Sequence, residues 1–233
     1  MTARDDILGG IRRSLRRDPL PADKTAALTA QLAAHRRNLV PARAAALDYG
    51  GRVDLFVAMA EEVQTTVTRV AAAADIPAEV ARYLAAENLP AELVMAPHPA
   101  LDAIPWQTRP LLQVRRGRAE PGDAVSLTPC LAAVAETGTL MLVSSAETPT
   151  TLNFLPDTHI AVVHAGQVVA SYEDGWDLVR GLGAMPRTIN LVTGPSRTGD
   201  IEQRIQLGAH GPRRLHVVLV EEHEPVSHGS PVG

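Results

Sequence analysis

The chain has 233 residues, 45% hydrophobic and 3% aromatic, with a formal net charge of −4. That length suits one large domain or one domain with appendages, and the apolar share excludes disorder except at the ends. The negative balance and scarce aromatic rings supply neither the field nor the stacking platforms of a nucleic-acid binder, and the single cysteine, Cys130, excludes an internal disulfide and a self-held iron–sulfur cluster.

No apolar run reaches the ~20 residues of a membrane helix, and the start lacks the apolar core of about 7–15 residues of a signal peptide. The expectation is a cytoplasmic chain without an integral membrane segment. The opening "MTARDDILGGIRRSLRR" reads as an amphipathic helix with Ile7, Leu8, Ile11 and Leu15 on one face. Acids stand first and arginines last, as the helix dipole favours. An organellar presequence, a membrane-surface helix and a docking helix all fit this pattern, and Asp5 and Asp6 count against the first two.

Residues 1–50 form an N-terminal helical extension of two helices, broken at Pro19 and Pro21 in "DPLPADKT". A longer helix is predicted over 52–74, with Val53, Phe56, Val57, Ala60, Val63 and Val67 in register. Pro77 opens the next, which ends near Asn88. The texture then changes to short apolar runs: "ELVMAP", "RPLLQV", the paired runs of "CLAAVAETGTLMLVSS", and "HIAVVHAGQVVAS" with a turn at Ala165 and Gly166. A short helix ("DGWDLVRGLG"), a strand ("TINLVTG"), a helix ("RTGDIEQRIQLG") and a last strand ("RLHVVLVEE") follow. Near-continuous apolar strands alternating with short helices imply an α/β domain over 51–224 with a largely parallel sheet. Residues 225–233 are Pro-, Gly- and Ser-rich and read as a flexible tail.

Three stretches can carry chemistry. In "GPSRTGDIE" a turn joins an apolar run to a helix-like stretch, and free N–H groups at a helix start favour an anion. Arg197 adds a forked donor and Ser196 and Thr198 add hydroxyls. Gly194 and Gly199 have the spacing of a phosphate loop, but Asp200 stands where its lysine belongs, and Ser196 is not in a GxSxG elbow. Arg197 paired with Asp200 or Glu202 is the competing structural account. In "AETGTL", Glu136 follows an apolar run. Burial there would raise its pKa and suit a general base or nucleophile, or the carboxylate fixes a tight turn at Gly138. "SSAETPTTLNFLPDTHI" offers many hydroxyls and Asn153, as a binding loop or as an ordinary connection. His159 and His164 are five apart on a strand and so face opposite ways. His210 after Gly208 reads as a cap and Cys130 as a buried small hydrophobe. No metal spacing is present.

Together "AETGTL", "TTLNFLPDTHIAVV" and "GPSRTGDIEQRIQLGAHGP", in this order and after the opening "ARDDILGGIRRSL", resemble the lactate-utilization branch of the LUD-domain family. The resemblance covers most of the chain and is densest from Val134 to Pro212. It implies a three-layer Rossmann-like α/β fold, similar to the NagB/RpiA/CoA-transferase-like group, with the N-terminal helices as an appendage. It implies a component of a system oxidising L-lactate to pyruvate, whose partner subunits are iron–sulfur proteins. It leaves the cofactor, and whether this chain is itself an enzyme, unknown. The family motifs mark Glu136, Thr137, Gly138 and Thr139 as one half of a site for a small anionic ligand. Gly194, Pro195, Ser196, Arg197 and Thr198 form the other half; Asn153, from the third stretch, is a further candidate ligand-binding residue. In the related CoA-transferase fold a glutamate can act as nucleophile, which makes Glu136 a loose catalytic analogue for transferase-like or cyclo-ligase-like chemistry. "SLTPCLAAVA" lacks the acidic residue expected of many relatives, so no second carboxylate is at hand.

Overall fold

The structure is a computed structural model, which describes residues 2–37, 40–198, 206–208 and 210–222. It divides into two compact units, residues 1–39 and 40–233. The first holds α1 (Ala3–Ser14) and α2 (Ala22–Ala34), parted at the prolines as predicted. Thr2 starts α1 with a reciprocal cap: its hydroxyl accepts from Asp5 N at 3.3 Å, and its own N–H donates to the Asp5 carboxylate at 3.0 Å. Those backbone and side-chain bonds hold the Asp5 carboxyl below its usual range. Neither helix has a buried residue.

The second unit opens with α3 (Ala42–Ala45), α4 (Tyr49–Glu62), β1 (Thr66–Val70) and α5 (Ile76–Ala86). Next come β2 (Glu92–Met95), α6 (Pro99–Asp102), β3 (Gln113–Arg116), β4 (Val125–Pro129), β5 (Ala132–Val134) and β6 (Thr139–Val143). Then follow α7 (Thr151–Phe154), β7 (Thr158–His164), β8 (Val168–Val169), α8 (Tyr172–Gly181), β9 (Ile189–Val192), β10 (Arg197–Thr198), β11 (Gln206–Leu207) and β12 (Arg214–Val220). Among the described residues no helix is long and apolar enough to cross a membrane.

The central sheet has the order β1-β12-β7-β4-β2-β3, every pair parallel. Its central strands are buried on both faces, which is why they read as unbroken apolar runs. Side-chain alternation splits β7 and β12 between two cores. Ile160, Val162, Val218 and Val220 pack with Ile76, Val80 and Leu84 of α5. Ala161, Val163, Val217 and Leu219 pack with Val53, Phe56 and Ala60 of α4 and with Ala133 and Leu140 of a second sheet. That sheet, β8-β5-β6-β9, turns its other face, Ala132, Val134 and Met141, to Val179 of α8. Gly175 lets α8 approach: a Cβ there would overlap Met141 Sδ.

Three elements differ from the sequence expectation. The helix predicted over 52–74 stops at Glu62; Gln64 takes a left-handed φ of 68° and the chain restarts as β1. Val63 and Val67 are four apart, a spacing that fits one face of a helix and one face of a strand equally. β4 was not predicted because Ser126 and Thr128 look polar; both are buried and bonded, Ser126 Oγ donating to Leu152 O at 2.6 Å. The helix expected after Thr198 is not found at either described end: Arg197 and Thr198 pair antiparallel with Leu207 and Gln206. Its middle, 199–205, and the tail from 223 lie outside the described residues.

Candidate functional site

The two motif turns meet at one end of α4. Glu136, Thr137 and Gly138 lie in the turn between β5 and β6, which closes on the pair Val134 and Thr139. Gly138 has φ 65°, and a Cβ on it would overlap Ala60 N and stand 2.6 Å from Met59 C. Gly194, just past β9, has φ 81°, and its Cβ would stand 2.5 Å from Val63 O. Both positions need glycine twice over, for the left-handed backbone and for the close approach to a helix end.

A set of hydroxyls ties the turns together. Thr137 Oγ1 donates to Tyr172 OH at 3.0 Å and lies 2.7 Å from Thr139 Oγ1. Thr139 Oγ1 is also 2.8 Å from Tyr172 OH and 2.7 Å from Thr193 Oγ1. Each hydroxyl has one proton to give. Since Thr137 gives its proton to Tyr172, Thr139 must supply the bond to Thr137, and Tyr172 and Thr193 must each supply theirs to Thr139. The count closes: four protons serve four bonds, and the set is satisfied within itself. Tyr172 and Thr193 were not anticipated. Tyr172 lies inside a helix start whose only local signal is the cap between Ser171 and Asp174.

Glu136 is half-buried at the rim of this turn. Its N–H donates to Ala170 O at 3.2 Å, and its carboxylate has no partner among the described residues.

The second turn is stitched to Gly208, His210 and Pro212. Ser196 N donates to Pro212 O at 2.8 Å, Gly208 N to Ser196 O at 3.0 Å, and His210 N to Ser196 Oγ at 3.3 Å. The Ser196 N–H expected to meet an anion is therefore committed. The Arg197 side chain is exposed on β10 without a partner among the described residues, and its pairing with Asp200 or Glu202 lies outside them. Gly208 follows a strand, so His210 caps no helix.

Asn153 is buried in α7, its N–H bonded to Thr150 O at 3.0 Å. A Cβ on Gly211 would touch both Phe154 and Ser196, at 3.6 and 3.5 Å, so α7 adjoins the second turn. The loop hydroxyls before it serve the loop itself. Ser145 Oγ accepts from Glu147 N and Thr148 N, Thr148 Oγ1 donates to Val143 O, and Ser144 Oγ accepts from Thr188 N.

His159 is buried with Nε2 2.7 Å from Thr128 Oγ1, and burial pushes it down to about 4. Cys130 is enclosed near the carbonyls of Ala132 and Met141, and burial pushes its thiol up to about 12. Among the described residues no group of three His, Cys, Asp or Glu converges as a metal site would require.

Residues 53–220 match the family model of the LUD domain. A lactate utilization protein C of Deinococcus radiodurans is 40% identical over 99 residues, 42% of this chain and 46% of the relative. One of Bacillus subtilis is 36% identical over 93 residues, 38% of this chain and 39% of the relative. The matched stretch thus spans less than half the length of these curated relatives. A crystal structure of a DUF162 family protein from Deinococcus radiodurans superposes with a TM-score of 0.57 at 29% identity, covering 75% of this chain and 99% of that one.

Proposed function

The chain belongs to the LUD-domain family, and from that membership we propose that it serves lactate utilization as a component of a system oxidising L-lactate to pyruvate. The names of its relatives support the pathway. The observation that carries the component reading is Cys130. The oxidation removes two electrons, and the one cysteine of this chain is buried and held as thiol. It can neither build a cluster alone nor exchange with a disulfide at the surface. We assign electron transfer to the iron–sulfur partner proteins that the family resemblance implies, and to this chain a framework that binds a small anionic ligand. α1 and α2 offer the partner contact, with Ile7, Ile11, Leu15 and Leu32 exposed. The setting is cytoplasmic. Two measurements test this together: growth on L-lactate after deletion of the gene, and co-purification of the tagged full chain with iron–sulfur proteins. Normal growth with no such partner sinks the reading.

A second reading rests on Glu136, whose half-buried carboxylate has no partner among the described residues. It is free to act as nucleophile or base in transferase-like or cyclo-ligase-like chemistry by the chain alone. Glu136→Gln separates the two. The component reading expects lactate-dependent growth to survive this substitution, and the enzyme reading expects it to fail with the fold intact.

A further inference from the structure

A recess of about 120 Å³ opens beside Pro195, where β1 and β12 begin. Gln64 and Thr66 wall it from the α4–β1 connection, Arg213 and Arg214 from the start of β12, and Tyr83 and Glu87 from α5 and its end. Water occupies ~30 Å³ per molecule in the liquid, so the space suits a solute the size of a few waters. Its lining thus includes two arginines and one acid, Glu87.

Both arginines meet their acids through Nε. Arg214 Nε donates to Glu87 at 3.1 Å, and Arg213 Nε lies 3.6 Å from Asp157. A guanidinium carries five N–H donors, four of them on the terminal nitrogens. Among the described residues those terminal nitrogens make no hydrogen bond in either arginine. Gly208, from the family motif, leaves room for one of them. It has φ 81°, and a Cβ there would overlap Arg213 Cγ and stand 2.9 Å from Arg213 Nε. The floor is held in place. Tyr83, 5% exposed, stacks on His216 with ring centres 3.9 Å apart at 12°, and Thr66 Oγ1 lies 2.8 Å from His216 Nδ1. Each guanidinium is tethered through one nitrogen to its acid, with the Arg213 and Arg214 side chains 58% and 41% exposed.

We propose that this recess binds a small carboxylate through the free ends of Arg213 and Arg214. The site sits next to the 194–198 turn but does not use the backbone donors of that turn, which are committed. Arg197 is outside it. The inference rests on the lactate-utilization reading only for the choice of L-lactate as first probe.

The test is a thermal-shift and calorimetric titration of the full chain with L-lactate, acetate and inorganic phosphate at matched ionic strength. The carboxylates should raise Tm in a concentration-dependent way that weakens with added salt. The rise should vanish in both Arg213→Gln and Arg214→Gln, whose unliganded Tm checks the fold, and persist in Arg197→Ala. No rise with any carboxylate, a rise with phosphate alone, a rise that survives both variants, or one lost in Arg197→Ala overturns the proposal. Growth on L-lactate is scored separately: binding without a growth defect on deletion refutes the function and leaves the site standing, and a growth defect without binding does the reverse.

Discussion

The hydroxyl of Thr139 stands 2.7 Å from that of Thr193, and this contact joins the turn after β5 to the turn after β9. Thr139 is fully buried and is the hub of the set, giving one proton and accepting two. A net intramolecular hydrogen bond is worth about 0.5–1.5 kcal/mol. Thr139→Val keeps the shape and removes the acceptor shared by half-buried Tyr172 and exposed Thr193, together with the donor to Thr137. Urea unfolding should show a loss of about 1–2 kcal/mol, with a smaller loss for Thr137→Val at the half-buried end. Equal effects would dismiss the hub.

Gly138→Ala and Gly194→Ala should each cost more than about 2 kcal/mol, because left-handed strain adds to a clash with fixed backbone. Gly183 is the control. It has φ 77° with nothing within 4 Å of its Cβ position, so Gly183→Ala carries the strain alone, about 1–2 kcal/mol. Denaturant midpoints that rank Gly183→Ala with the other two would remove the packing role of the motif glycines.

Acid should destabilise the fold from near-neutral pH downward. Burial pushes both His159 and His216 down to about 4. The unfolded chain, with imidazoles near the model value of 6.5, therefore binds more protons between those limits. Their contribution is complete above about pH 6.5 and is lost as pH falls towards 4. Glu79 adds to the loss below that. Burial opposes its ionisation, but the Arg82 fork, at 2.6 and 2.7 Å, outweighs it and holds the carboxyl below its usual range. Stability measured by urea at stepped pH should rise steadily from pH 4 to 6.5, and His216→Gln should flatten that slope. A flat wild-type profile would contradict the burial of both rings.

Cys130 should be inert in the native state. With its thiol enclosed and pushed up to about 12, a thiol reagent at pH 8 should label it only on unfolding. Native labelling as fast as in urea would show an open site, and would remove the observation on which the component reading depends.

Local sequence signals marked some elements and missed others. Pro19 and Pro21 parted α1 from α2, and the runs around Ile160 and Val217 announced strands buried on both faces. β4 and β1 escaped because buried Ser126 and Thr128 look polar until their bonds are known, and because Val63 and Val67 satisfy two periods at once. The stretch 197–207 read as a helix, yet its described ends pair with one another as strands.

The family, the α/β alternation and the unusual stretches are legible along the chain, since each is written in neighbouring residues. What those stretches touch follows from three-dimensional packing alone. Gly138 and Gly194 require glycine because α4 ends against them, and Thr139 is satisfied because Tyr172 and Thr193 arrive from α8 and β9. Arg213 and Arg214 share a recess with Thr66 because β12 lies beside β1. A turn's composition gives its backbone, but the groups that use its donors are set by strand pairing and helix packing across the whole chain, and no local pattern records them.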